Sequence, residues 1–229
     1  MAQAGILAMR LGPGKHLYAR TTLGGVLKGE EFEYFHDLVV MQDMVRAAAR
    51  GFQDGYMAGI TISLTAVREQ ANDEEFRDRL SEKVLSGRKK MCLAVTEAFA
   101  GSDVAGLRMT AVKTKDAKYY VVNGTKMWIT NAAFSDCFVA ACKTSGEAMS
   151  VLVIPCTEGV EMKLIKTSYS TAACMTYITI NNVKVPVETL LSKENKGFQG
   201  IMSNLDREGW MMVCAVCRWQ RMVVDECLQ

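Results

Sequence analysis

The sequence predicts an α+β protein in which helices come first, a run of strands follows and a helix comes last. Three patterns support this fold class. Apolar residues between 32 and 45 recur at spacings of three and four, which is the helical period. Short strand-like segments then follow one another from 108 to 180 without helical patterns between them, which favours a central antiparallel sheet or barrel. Residues 205–228 read as one long helix, and the chain of 229 residues suits one large or two small domains.

Residues 1–29 are rich in glycine and show no sustained period, so we expect an extended or irregular segment. The composition predicts a helical part over 30–90, a β-domain over 91–190 and a further helical part over 191–229. The sequence contains no internal repeat.

The 30–90 part is expected to hold three helices. The first has a stripe at helical spacing that is apolar except for Gln42, made of Phe32, Phe35, Leu38, Val39, Met41, Gln42 and Val45. Gly51 is predicted to end it, with a loop over 51–59 and a second helix over 60–70. Asn72 or Asp73 is expected to cap the third helix. Its predicted inner stripe is Phe76, Leu80, Val84 and Leu85, and Ser86 with Gly87 stops it.

Six strands are predicted in the β-domain besides the apolar run 91–96. They cover residues 108–114, 118–122, 126–130, 137–142, 150–154 and 175–180. Asn123-Gly124 between two of them indicates a tight hairpin, since both residues tolerate positive φ. In the last helix, residues 210–217 are apolar on all sides and are expected to be buried all round.

The net charge of +2 gives no electrostatic argument for binding nucleic acid or a membrane surface. No apolar run reaches the length of a membrane span, and the absence of a recognisable signal favours an intracellular protein. The eight cysteines mostly lie in apolar strings, where a thiol packs as a small hydrophobe. Cys214 and Cys217 form a CxxC pair for which core packing competes with a redox role. We expect no metal site, because both histidines are distant in sequence.

Two segments carry the candidate chemistry. Residues 93–103 (LAVTEAFAGSD) form a strand end that runs into small residues, and their N–H and hydroxyl groups suit a polar planar ligand. An ordinary strand-to-loop transition explains the same residues. Residues 120–131 (YVVNGTKMWITN) place Trp128 and Thr130 on one strand face, where an indole and a hydroxyl can flank a flat heterocycle. A core tryptophan beside a solvated threonine is the alternative. Rossmann, P-loop, HExxH and GxSxG motifs are absent from the sequence.

Together the two segments closely resemble the acyl-CoA dehydrogenase motifs TEPxAGSD and NGxKxWITN, in that family's order and with a similar interval. Residues 75–89 resemble the helix before the first motif, and residues 194–210 resemble the connection into the family's carboxy-terminal helical domain. The chain is most similar to a fungal subgroup, and the resemblance covers roughly residues 30–229. It implies a protein truncated after the first helix of that carboxy-terminal bundle.

The resemblance implies an FAD site. Leu93, Ala94, Val95 and Thr96 match the stretch that holds the pyrimidine edge of the flavin. Ser102 matches a serine near the cofactor pyrophosphate and the acyl-thioester arm. Trp128 matches the indole beside the flavin, Thr130 matches the hydroxyl on the ring nitrogen that receives hydride, and Ile129 lies between them. The chain departs from the family pattern at Ala98 and Phe99, where the family prefers Pro-Gly, and the bulky Phe99 puts the loop shape in question.

The implied reaction is α,β-dehydrogenation of an acyl-CoA, with a glutamate that removes the α-proton. Glu208 matches an alternative position of that glutamate, and Asp206 and Ser102 are implied at the substrate. A helix-terminal acid that interacts with the helix dipole explains Glu208 equally well. The family usually passes electrons to an electron-transferring flavoprotein, and it forms oligomers. A catalytically silent homologue that associates with a full-length dehydrogenase is the second hypothesis, and a related flavin oxidase or reductase is the third.

Overall fold

The computed structural model describes residues 2–47, 54, 57–168 and 172–229, and every structural statement below concerns these residues. Five α-helices are described. They are α1 (Ile6–Met9), α2 (Tyr34–Ala47), α3 (Thr65–Gln70), α4 (Glu74–Leu85) and α5 (Gly197–Cys227). A π-helical stretch, Met57–Leu64, leads directly into α3. The end predicted at Gly51 lies outside the described residues, as does most of the 51–59 loop.

The amino-terminal segment is more regular than expected. It contains α1 and a small antiparallel pair of strands, β1 (Thr21–Thr22) and β2 (Leu27–Lys28). Met9 and Leu17 are fully buried. The prediction of an extended or irregular segment over 1–29 is therefore wrong for these elements, because apolar residues without a period can still be recruited by a core formed elsewhere in the chain.

A second sheet contains eight strands of the described chain. They are β3 (Met91–Ala94), β4 (Thr110–Lys113), β5 (Tyr119–Ile129), β6 (Cys137–Ser145), β7 (Ala148–Pro155), β8 (Val160–Leu164), β9 (Thr176–Pro186) and β10 (Leu190–Leu191). Their order is β10-β7-β6-β4-β5-β9-β8, and β3 pairs with β6. Most neighbours are antiparallel, as predicted. The β3–β6 and β4–β6 pairs are parallel, which the sequence did not indicate.

The hairpin predicted at Asn123-Gly124 is wrong. Both residues lie inside β5, and the register against β9 shifts between Val122 and Gly124. Gly124 has φ 143°. A Cβ atom there would lie 2.8 Å from the Met109 Cα, so the glycine allows β4 and β5 to approach closely. Gly124 has the positive φ that the hairpin prediction required, but it lies at a β-bulge and not in a turn.

Helix α4 begins and ends as predicted. The Asp73 carboxylate accepts a hydrogen bond from the Phe76 N–H at 2.8 Å, so Asp73 is the cap. The predicted inner stripe is buried, and Ser86 closes the helix before Gly87 with φ 76°. Here the local rules and the tertiary contacts agree.

Alternate residues of β6 divide the interior into two layers. Val139 and Ala141 pack with helices α3 and α4, whereas Phe138 and Ala140 pack inside the sheet against β9. This two-sided burial explains the long apolar run of β6.

Four cysteines lie in these buried layers or in the α2–α5 contact: Cys92, Cys137, Cys142 and Cys214. Cys217 and Cys227 are exposed, so the core-packing interpretation is wrong for those two.

Helix α5 departs most from its prediction. It begins at Gly197, before the predicted residue 205, and only one side of it is covered. Met211 and Ala215 are fully buried against α2, but Val213 is 63% exposed. The expectation that residues 210–217 are buried all round is therefore wrong. Within α2, Phe35 and Val39 are also exposed. No described helix is both long enough and apolar enough to cross a bilayer.

Candidate functional site

A cavity of about 510 Å³ lies between the ends of β3 and β5 and one face of α5. The predicted site residues that line it are Leu93, Val95, Thr96, Ser102, Trp128, Ile129, Thr130 and Glu208. The other lining residues are Asp54, Ile62, Gly101, Val104, Ile201, Met202, Leu205, Met212 and Trp219. An apolar wall with a few polar groups is typical of sites for small organic ligands.

The two motif stretches meet through the backbone. The Met127 N–H donates to the Thr96 carbonyl at 3.0 Å, so the strand that bears Trp128 is bonded to the first stretch just beyond the end of β3. The bond lies one residue before Trp128, and Trp128 lines the same cavity as Val95 and Thr96. Residue spacing could not predict this pairing, since 31 positions and strand β4 separate Thr96 from Met127.

Phe99 does not obstruct the cavity. The N–H and carbonyl groups of Glu97 and Ala100 bond to each other at 2.9 and 3.2 Å, which closes a tight turn with Ala98 and Phe99 at its tip. Phe99 is 76% exposed, and the Arg108 guanidinium lies 4.8 Å from its ring centroid. The bulky residue is accommodated because the turn directs it into solvent.

The backbone of Trp128 is strained. Its φ is 64°, and the register of β5 against β9 shifts between Lys126 and Ile129. A positive φ is unfavourable for a bulky residue and persists only where surrounding contacts enforce it. Beyond it, the Thr130 hydroxyl lies 3.6 Å from the Met175 sulfur, and the Asn131 N–H donates to the Ala173 carbonyl at 2.9 Å. The bulge thus turns Trp128 out of the sheet alternation, leaving it 49% exposed at the cavity.

Helix α5 supplies the opposite wall. Ile201, Leu205, Glu208 and Met212 recur at spacings of three and four, so they share one helix face. Burial raises the pKa of the Glu208 carboxyl above its usual value. A Cβ atom added at the next residue, Gly209, would meet no neighbouring atom within 4 Å, so there is open space beside this position. Leu205 and Met212 fall within the helix predicted over 205–228, whereas Ile201 lies in the part of α5 that precedes it.

Two of the predicted site residues lie elsewhere. The Ala94 side chain is fully buried in the interior layer of the sheet, on the side away from the cavity. Asp206 is exposed and borders a separate surface hollow with Tyr34, Arg207 and Trp210. On a helix, residue 206 is about 200° from residue 208, which explains why the two carboxylates face different sides. Among the described residues, no group of His, Cys, Asp and Glu side chains is arranged to hold a metal ion.

Glu97 and Lys126 are the residues that sequence reasoning missed. Both lie inside the motif stretches, and their side chains form a buried ion pair with an N–O distance of 2.9 Å. Burial lowers the pKa of the Lys126 ammonium. The sequence signal was a lysine at an inward position of an apolar strand, which requires a buried partner.

Comparison with known proteins identifies a family domain in this part of the chain. Residues 92–183 match the family model described as acyl-CoA dehydrogenase, middle domain. That span includes both motif stretches and most of the large sheet. It stops before helix α5 and therefore says nothing about Glu208.

Two fungal proteins are similar over most of the chain. An acyl-CoA dehydrogenase of Emericella nidulans, apdG, is 36% identical over 204 residues, which are 87% of this chain and 46% of that protein. The acyl-CoA dehydrogenase AFT10-1 of Alternaria alternata is 32% identical over 212 residues, covering 90% of this chain and 48% of that protein. The chain thus spans about half the length of the curated relatives it matches.

Solved structures show the same fold. The acyl-CoA dehydrogenase of Bacillus anthracis, solved in complex with FAD, superposes with a TM-score of 0.73 at 25% identity, over 80% of this chain and 31% of that one. A structure described as an FAD-dependent dehydrogenase superposes with a TM-score of 0.80 at 21% identity, over 87% of this chain and 55% of that one. The matched middle domain, the fungal relatives and the shared fold agree, and the chain belongs to the acyl-CoA dehydrogenase family.

Proposed function

We propose that this chain is an FAD-dependent oxidoreductase that catalyses the α,β-dehydrogenation of an acyl-CoA or a related acyl thioester. The observation that carries the proposal is a cavity lined both by the two motif stretches and by Glu208. Family membership supports an acyl-CoA dehydrogenase-like oxidoreductase, and FAD is the cofactor of that family. The substrate, the activity of a chain of this length and the roles of single residues are parts of the proposal.

The residues of the cavity fit a flavin ring. Its volume of about 510 Å³ falls within the usual range for cofactor and ligand sites, roughly 300–1,000 Å³. The indole of Trp128 offers a flat apolar surface, and the hydroxyls of Thr96 and Thr130 offer hydrogen bonds at the edge. We assign Leu93, Val95, Thr96, Ser102, Trp128, Ile129 and Thr130 to the cofactor, with Ser102 also facing the thioester arm. Ala94 would contribute through its backbone alone.

Bound FAD supplies a hydride acceptor, and the chain supplies the remaining chemistry. Glu208 is the proposed base that takes the α-proton of the acyl group on a carboxylate oxygen. Its raised pKa strengthens it as a base relative to an ordinary glutamate. The apolar side chains of Leu205 and Met212 line the same wall as Glu208 and make the surroundings of its carboxylate less polar. Asp206, on another face of the helix, is not given a substrate role.

Cofactor binding is tested by titrating FAD into the purified chain and recording the visible spectrum. Gly101 lines the cavity, and an added Cβ atom meets no atom within 4 Å there, so we expect Gly101→Trp to fold and its indole to occupy the site. The matched control is Phe99→Trp in the same loop, whose side chain faces solvent. We expect flavin bands in the wild type and the control, and their loss in Gly101→Trp. A wild-type chain that takes up no FAD contradicts the proposal.

The exposed face of α5 favours a second candidate function, association with a full-length dehydrogenase without catalysis. Trp210, Val213 and Val216 are 38–63% exposed, and Val223 and Val224 continue the apolar surface. Exposed apolar patches of this kind mark interaction sites. Met211, in the same apolar run, is buried against α2 and does not contribute to this surface.

Association is tested by measuring molar mass in solution, alone and with a full-length fungal relative. Val213→Glu places a charge in the exposed face, and Val26→Glu, on the β1–β2 turn, is a control with similar exposure. We expect a complex that Val213→Glu abolishes and Val26→Glu leaves intact. If the chain remains a monodisperse monomer both alone and with the relative, the result counts against this candidate.

Homo-oligomers and an electron-transferring flavoprotein as electron acceptor are further proposals that rest on family membership alone.

A further inference from the structure

The Glu97–Lys126 ion pair lies beside the cavity without lining it. The Lys126 side chain is fully buried and that of Glu97 is 6% exposed. Removing each charge from water costs several kcal/mol, so a buried pair needs further hydrogen bonds to be tolerated. The identity of those bonds shows which backbone segments the pair connects.

Lys126 uses all three of its ammonium protons. They bond to the Glu97 carboxylate at 2.9 Å, to the Val95 carbonyl at 2.9 Å and to the Ala141 carbonyl at 2.8 Å. The ammonium therefore ties β5 both to the chain just after β3 and to β6. Val95 lines the cavity, so one of these bonds fixes a wall residue from its rear side.

Glu97 fixes the following loop. Its carboxylate accepts the Arg108 N–H at 2.6 Å and the Met109 N–H at 3.0 Å, and the residue also opens the turn that Ala100 closes. The chain between these anchors contains Gly101 and Ser102, which line the cavity. Bonds from a carboxylate to two N–H groups are charge-assisted and directional. Glu97 thus holds the turn at the start of this cavity loop through its backbone and the end of the loop through its side chain.

The pair also sets the strand that bears Trp128. Lys126 and Met127, successive residues of β5, both bond to the first stretch, the latter through the Thr96 carbonyl. The strained backbone of Trp128 follows immediately. With residues 126 and 127 anchored, the bulge is forced onto Trp128, which brings the indole to the cavity.

We propose that Glu97 and Lys126 are positioning residues of the flavin site, which hold its two wall stretches together before any ligand binds. The inference rests on the proposed function for its ligand but not for its geometry. Neither residue lines the cavity, so both act through Val95, Thr96, Ser102 and Trp128. The pair therefore affects the affinity for the cofactor in addition to its effect on the stability of the fold.

A double-variant comparison separates the two contributions. Lys126→Met leaves the Glu97 charge buried without its counterion, whereas the double variant Glu97→Gln/Lys126→Met removes both charges. We expect the double variant to recover much of the melting temperature lost in Lys126→Met. FAD affinity should remain reduced by about tenfold or more in both, because the Val95 and Ala141 carbonyls stay untied and the wall is misplaced. Lys113→Met is the control, since Lys113 on β4 pairs with Glu194 at the surface.

A readout without flavin tests the geometry directly. Trp210→Phe and Trp219→Phe leave Trp128 as the remaining one of three tryptophans. In this background we expect Lys126→Met to shift the emission of the apoprotein and Lys113→Met to leave it unchanged. If Lys126→Met fails to fold, Glu97→Gln serves instead, since its amide can keep some of the bonds.

The outcomes distinguish the two proposals. Wild-type FAD affinity in the folded variants, or an affinity that recovers together with the melting temperature in the double variant, overturns the positioning role. A wild-type chain that binds no FAD refutes the proposed function alone. In that case the Trp128 emission decides the positioning role, and an unchanged spectrum overturns it.

Discussion

Glu208 combines two properties at the scale of a single residue. It shares a cavity with Thr96 and Trp128, and burial raises its pKa. A carboxyl group whose pKa is raised in the folded state binds its proton more tightly there than in the unfolded chain. Its ionisation therefore destabilises the fold, and this loss develops as the pH rises from the unfolded pKa through the folded pKa.

Glu208→Gln tests both properties. We expect turnover of acyl-CoA to be abolished, because glutamine cannot accept the α-proton. The variant should also melt at a higher temperature than the wild type at about pH 8, and the difference should disappear below about pH 4, where Glu208 is protonated in both the folded and the unfolded state. Enzyme assays and thermal melts across pH measure the two effects. A melting difference that grows on acidification would contradict the raised pKa, and unchanged turnover would remove Glu208 from the mechanism.

At the scale of the element, the cap of α4 allows a clean stability measurement. Asp73 accepts the Phe76 N–H at 2.8 Å and satisfies one of the free donors at the helix start. We expect Asp73→Ala to lower the free energy of unfolding by about 1 kcal/mol, whereas Asp73→Asn, which can cap as well, stays near the wild type. Denaturant unfolding measures both. Equal losses in the two variants would show that charge, and not capping, stabilises this end.

Gly124 and Gly209 are expected to respond in opposite directions to alanine. At Gly124 a Cβ meets the Met109 backbone at 2.8 Å on positive-φ backbone, so Gly124→Ala should destabilise by more than about 1 kcal/mol. At Gly209, inside α5, a Cβ meets nothing, so Gly209→Ala should stabilise by about 0.5–1 kcal/mol. Chemical denaturation of the two variants checks the signs. A tolerated alanine at 124 would mean that β4 and β5 can separate without cost.

At the scale of the whole molecule, a buried ion pair joins three distant segments. The Arg10 guanidinium bonds to the Asp37 carboxylate of α2, and both side chains are essentially fully buried. It also contacts the sulfurs of Met41 and of Met211 on α5, at 3.6 and 4.0 Å. The amino-terminal segment therefore holds α2 and α5 together, and so supports the helix that carries Glu208.

Arg10→Met is expected to destabilise the protein by about 3–5 kcal/mol, because it leaves the Asp37 charge buried without this counterion. Arg20→Met, which breaks an exposed pair with Glu82, should change stability by less than about 1 kcal/mol. Thermal melts of the two variants provide the comparison. Similar losses would show that the buried pair has no special structural role.

The sequence alone predicted several features of the whole molecule correctly. The order of helices, sheet and helix followed from periodicity, and the start and end of α4 followed from Asp73 and Gly87. Such features depend on contacts within a few residues, so local chemistry is sufficient. The resemblance of the two motif stretches to one family was also visible in the residues. The cofactor-facing role of each residue stays a prediction, as does the division of the chain at residues 30, 91 and 191.

Only the tertiary structure decided how distant segments meet. Asn123-Gly124 has the local chemistry of a hairpin, yet pairing with β9 makes it a bulge within one strand. Residues 210–217 are uniformly apolar, yet only the side against α2 is covered. The bonds of Lys126 to Val95, Glu97 and Ala141 link residues that are 15 to 31 positions apart in the chain. Periodicity records which face of an element is apolar, but the partner of that face is fixed by the packing of the whole chain, and the cavity exists only where those partners converge.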